Sequence, residues 1–170
     1  MKTADQKASD QINQALADKI RQASAEGRSV GKTVVEAVTP SGRVSVVVED
    51  ADRLGVLAGQ VNARNDGGSA ASVPAQAREA VRRLNYLQEP LAIIETEDRK
   101  GGRAILRSAA PRPTGSGGEY NEAVVDGGRS ISIRRFRTET GSRRRTVPSN
   151  LSRETLGRLA DDLIDILDKN

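Results

Sequence analysis

The chain has 170 residues, 36% of them hydrophobic and 29% charged, a net charge of +4, and neither cysteine nor histidine. That length and balance suit one folded domain and exclude wholesale disorder. The two missing residue types exclude disulfides, thiolate catalysis, Ser–His triads, histidine-ligated zinc and facial-triad iron, and they remove the commonest general base.

The only aromatics are Tyr86, Tyr120 and Phe136, so valine, isoleucine, leucine and alanine must fill the core. The N-terminus is polar from its first residues, and no apolar run reaches the roughly 18 residues that a membrane helix needs. A cytoplasmic protein without membrane contact is expected.

Ala8, Ile12, Leu16, Ile20 and Ala23 recur at spacings of three or four, which predicts an amphipathic helix over residues 4–26 closed by Gly27. Its stripe is thin, so the helix either lies on the domain or pairs with a partner. Residues 30–38 and 43–50 alternate as strands around Thr39-Pro40-Ser41-Gly42, which predicts a hairpin. Pairing across it puts Val35, Ala37, Val44, Val46 and Val48 on one apolar face, with Lys32, Glu36, Arg43 and Ser45 toward water.

Leu54, Leu57, Ala58 and Val61 suggest a short helix over residues 51–64 capped by Asp50, with Gly55 and Gly59 weakening it. Residues 65–73 read as loop, and Pro74 opens a second helix to about Leu87, ended by Pro90. A second hairpin is expected from residues 91–97 and 102–109, turning over Asp98-Arg99-Lys100-Gly101.

The Gly- and Pro-rich stretch 110–118 reads as a mobile loop. Strands follow at 120–125, 129–138 and 143–147. In the second of these, Ile131 and Ile133 share one phase and Phe136 the other, so either a bulge lies near Arg134 or Phe136 packs on the opposite face. Ser152 caps a final helix with Leu156, Leu159, Ala160, Leu163, Ile164 and Leu167 inward. The pattern predicts a single α+β domain over residues 1–170: an antiparallel sheet built from hairpins, with about four helices packed mainly on one side.

Two short motifs invite a chemical reading. Gly27-Arg28-Ser29-Val30-Gly31-Lys32-Thr33 resembles a P-loop, but the first glycine is one residue too close and the order is helix, loop, strand. It reads as a helix end followed by a strand. Asp161-Asp162-Leu163-Ile164-Asp165 resembles the D-D-x-x-D motif by which prenyl-transferring enzymes hold magnesium-diphosphate. The resemblance covers five residues, and those enzymes are all-helical, so a solvated helix face is expected here. Acids so near a helix C-terminus oppose its dipole and call for a basic partner.

The distinctive feature is charge. Residues 99–145 hold twelve Lys or Arg against four acids, a net +8, while the rest of the chain is net −4. Arginine outnumbers lysine 21 to 6 overall, and its planar fork suits phosphate and carboxylate.

The candidate binding residues are Arg103, Arg107, Arg129, Arg134, Arg135, Arg137, Arg143, Arg144 and Arg145. The leading expectation is a non-catalytic binding or oligomeric protein that uses this segment to contact a protein partner or a second copy. The alternative is sequence-independent contact with a nucleic-acid backbone. A carboxylate-based, metal-dependent enzyme stands third, through Glu95, Glu97 and Asp98 or through Asp161 and Asp165. No cofactor is expected.

Overall fold

The computed structural model describes residues 6–67, 71–97 and 99–168. Asp98, the three residues 68–70 of the loop expected at 65–73, and residues 4–5 of the first helix lie outside the described residues.

Ten strands form one sheet, and the helices are α1 (Ala8–Ala25), α2 (Val73–Arg83) and α3 (Arg153–Asp168). The strands are β1 (Thr33–Thr39), β2 (Gly42–Ala51), β3 (Gly55–Arg64), β4 (Leu91–Thr96), β5 (Arg103–Ser108), β6 (Arg112–Thr114), β7 (Gly117–Asp126), β8 (Ser130–Thr138), β9 (Arg145–Val147) and β10 (Ser149–Ser152). The main path runs β1-β2-β3-β8-β7-β5-β4, antiparallel throughout. This is the α+β architecture expected, with three helices rather than four among the described residues.

The missing helix is β3. Val48 pairs with Ala58 but Val47 pairs with Gln60, so Gly59 is an extra residue on β3. Asp50 pairs with Leu57, which leaves Glu49 unpaired on β2. The Gly59 bulge puts Ala58 and Val61 on the same face three residues apart. A bulge thus imitates helical spacing. A Cβ on Gly59 would lie 2.9 Å from the Glu49 carboxylate, so the glycine makes room for the bulge opposite. Asp50, expected as a helix cap, instead accepts hydrogen bonds from the Gly31 and Ala51 amides.

The first hairpin has the register read from sequence. Val35 pairs with Val46 and Ala37 with Val44, all buried. The stretch 110–118 contains β6, which pairs with the start of β7 around Gly115 and Ser116. Beyond the Val61–Ile133 pair, β3 and β8 splay apart, and the C-terminal segment fills the wedge. Its strand β9 pairs with β8 at Arg135–Arg137, and after Pro148 its strand β10 pairs with β3 at Gly55–Ala58.

All three helices lie on one face of the sheet. α1 packs on β1 and α3, α2 on β4, β5 and β7, and α3 on β2 and β3. Ile12 and Leu16 are fully buried, so the thin stripe of α1 is consumed within the chain. A Cβ on Gly157 would come within 2.9 Å of Asn13 Nδ2 and 3.2 Å of Ser9 Cβ, so the α1–α3 contact depends on glycine. The Ser9 amide also donates to Asp161 Oδ1 at 2.9 Å. Among the described residues no helix is long and apolar enough to cross a membrane.

Candidate binding surface

The candidate arginines on the strands divide between the two faces of the sheet. On β8 the alternation is unbroken, so Ile131, Ile133, Arg135 and Arg137 take the helix side, while Ser132, Arg134 and Phe136 take the other. No bulge is present near Arg134.

Arg135 is therefore a core residue. Its guanidinium grips Glu89 with two hydrogen bonds of 2.6 and 3.1 Å and donates through Nε to Glu119 at 3.1 Å. It also reaches Asn121 Oδ1 at 3.3 Å. Arg137 pairs with Glu119 from the other side. Burial pushes the Glu119 carboxyl up, and hydrogen bonds from Arg137 and Arg135 overcome this and hold it below the ordinary carboxylate range. The bonds to Glu89 raise Arg135 above the usual guanidinium value, so it is a fixed cation. Both of these candidate arginines are engaged in ion pairs within the fold.

The uncovered face holds Arg103, Arg107, Arg134 and Arg144. Tyr120 and Phe136, cross-strand neighbours there, stack with ring centres 5.8 Å apart. Arg144 reaches back from the turn after β8 to lie 4.1 Å above Phe136, and Arg107 sits 5.8 Å from the Tyr120 ring. Both cations hydrogen-bond the same Glu122 oxygen at 2.7 Å. Burial raises the Glu122 carboxyl, but the hydrogen bonds from Arg144 and Arg107 bring it below the ordinary value. The two rings are covered and only 8% exposed each.

Arg134 is exposed and donates to the neutral Gln60 at 2.8 Å. Arg145 makes a solvent-side pair with Glu139 at 3.5 Å. Among the described residues the side chains of Arg103, Arg129 and Arg143 have no partner. Arg129 sits in the turn between β7 and β8, so it does not join the others on one surface.

Sequence reasoning missed Arg43 and Arg64, which lie outside the 99–145 segment. Paired across β2 and β3, they share the single carboxylate of Asp66 at 2.6 and 3.3 Å. The signal that finds them is the strand phase: each shares its phase with residues that face away from the helices.

Cross-strand registers assemble the uncovered face into rows. One row reads Arg43, Arg64, Ser130, Asp126, Arg103. The next reads Ser45, Asn62, Ser132, Val124, Ile105, and it carries no charge until Glu36 and Glu95 at the edge strands. The third holds Val47, Gln60, Arg134, Glu122 and Arg107. A depression of about 470 Å³ beside this third row is lined by Val47, Glu49, Gly59, Gln60, Arg134 and the β9–β10 junction.

The acids considered for metal chemistry are engaged elsewhere. Arg83 of α2 bonds Asp162 at 3.0 Å and Asp165 at 2.9 Å, supplying the basic partner that the acidic end of α3 required. Glu97 pairs with Arg99 at 3.0 Å, and Glu95 is exposed on β4. Among the described residues no three acids converge as a metal site.

Comparison with known proteins finds no matching family model, curated protein or solved structure.

Proposed function

We propose that the chain is a non-catalytic binding protein whose contact surface is the uncovered face of its sheet. One observation carries this reading: the helices pack against one face, while the other presents a charge-free row between two rows rich in arginine. An antiparallel sheet with one solvated face is ordinary. The surplus of cations on that face is not, because each shared carboxylate answers two guanidiniums and leaves one positive charge over.

The test is to block the face without touching the core. Asn62→Glu and Ser132→Glu together place two anions in the neutral row, where wild-type side chains are half-buried and without partners. The double variant is expected to melt like wild type and to capture less protein and nucleic acid from a cell lysate than the immobilised native protein does. Arg21→Gln on the outer surface of α1 is expected to capture as much as wild type. Equal capture by both variants would overturn the assignment of the face.

A second reading within this one, contact with a phosphate backbone, is favoured by Arg134 and Arg103, which have no acid bound to them.

A further inference from the structure

Resting on that reading of the face, we infer that its ligand is a single strand of nucleic acid, with bases over the Ser45–Asn62–Ser132–Val124–Ile105 row and phosphates on the flanking arginines.

Charge selects an anion. Arg43 and Arg64 share Asp66, and Arg107 and Arg144 share Glu122. Each trio keeps one net positive charge with guanidinium edges facing solvent. Arg134 has a neutral partner, and Arg103 has no bonded one but stands across from Asp126, so three positive charges remain in surplus beside the neutral row. Sequence-independent phosphate contact needs this kind of surplus cation.

Shape selects a single strand. Arg103 and Arg107 stand four residues apart on one strand, as do Ser130 and Arg134, so the flanking rows are about 13 Å apart at about 3.3 Å per residue. The neutral row crosses five strands, or about 19 Å at about 4.8 Å per step. Duplex grooves admit a helix or a two-stranded ribbon, and this broad face has no such ridge. A single strand can lie flat in the trough. The exposed Glu36 and Glu95 close both ends, so the site is confined to the five central strands.

The floor offers what bases use. Ser45, Asn62 and Ser132 carry donors and acceptors with no protein partner, and Val124 and Ile105 give apolar contact. Stacking contributes little, because Arg144 and Arg107 already cover Tyr120 and Phe136. Binding is therefore mostly electrostatic and tolerant of sequence. A protein partner fits less well, since interface cores favour accessible aromatics and methionine, and this face presents neither.

The experiment is fluorescence anisotropy with labelled mixed-sequence single-stranded DNA and RNA and the matching duplex. Single strands are expected to bind at least about tenfold tighter than duplex at about 50 mM salt. The slope of log affinity against log salt is expected at about −2, from about 0.7 per phosphate over three contacts. Arg134→Gln and Arg103→Gln are each expected to flatten that slope by about 0.7 and to weaken binding about fivefold at about 0.1 M salt. Arg21→Gln leaves both unchanged.

No binding at low salt, duplex binding as tight as single strand, or slopes unaltered by Arg134→Gln and Arg103→Gln would overturn the inference. If the oligonucleotides fail while the Asn62→Glu, Ser132→Glu variant still captures less from lysate than wild type, the binding face stands and only its ligand is wrong.

Discussion

Arg135 and Phe136 are adjacent in sequence and lie on opposite sides of the sheet, the guanidinium locked to Glu89 beneath the helices and the ring stacked on Tyr120 across the open face. β8 thus carries a salt-bridge network inward and its largest apolar group outward. The inversion follows from what covers each side. The inward end of β8 meets Glu89 and Glu119, whereas the outward end is roofed by Arg144.

Removing one member of the buried network leaves its partner charged and unpaired. Arg135→Ala is expected to cost about 3–5 kcal/mol in urea unfolding. Replacing Arg135 with methionine and Glu89 with leucine together should recover most of that loss, because Glu119 keeps Arg137. Equal losses for the single and double variants would show that the network is not coupled.

Acid should loosen the same region. Glu119 and Glu122 have folded values below their ordinary 4.5, so the unfolded chain takes up protons first as pH falls. The stability they contribute is complete above about pH 4.5 and is lost as pH drops through their lower folded values. Melting curves are expected to show Glu122→Gln less stable than wild type at neutral pH, with the gap narrowing below about pH 4.5.

The roof over Phe136 can be tested directly. Arg144→Ala removes a cation–π contact and one of the two cations on Glu122, an expected loss of about 1–2 kcal/mol. Arg144→Lys is expected to recover only part of it, because an ammonium cannot lie flat on the ring while bonding the carboxylate. Binding of a hydrophobic dye should rise for the alanine variant alone.

Gly157 sets the distance between α1 and α3. Leucine there would meet Ser9 and Asn13 and is expected to cost about 1–3 kcal/mol by overpacking. Thermal melting checks this. Leucine at Arg158, whose guanidinium lies over the Tyr86 ring on the same helix, should cost less.

Where patterning was local, the sequence could be read. The first hairpin, its register and its buried face follow from the alternation of Val35, Ala37, Val44, Val46 and Val48, and the C-terminal helix follows from its stripe and from the Ser152 cap, whose Oγ accepts the Thr155 amide at 3.0 Å. β3 was misread because the extra Gly59 breaks the two-residue period that marks a strand. β6 and β10 are too short to carry any period.

Among the candidate residues, charge density singled out Arg103, Arg107, Arg134 and Arg144, which lie on the uncovered face. It could not separate them from Arg135 and Arg137, because nothing in residues 129–138 shows that Glu89 lies opposite. Arg43 and Arg64 were invisible for the same reason: their nearness to the other cations is a property of the β3–β8 pairing.

The helices cross between the two halves of the sheet. α2 emerges from β3 yet covers β4, β5 and β7, while α3 emerges from β10 and covers β2 and β3. Each half of the polypeptide therefore carries part of the other's roof, while α1 stays on β1 and β2 of its own half. A chain cut within residues 84–90 leaves two fragments that each expose apolar sheet surface, so neither should fold alone. Co-expressed, the fragments should reassemble in trans. An intact pair of chains could trade roofs by the same route and emerge as an interlocked dimer with every native contact kept.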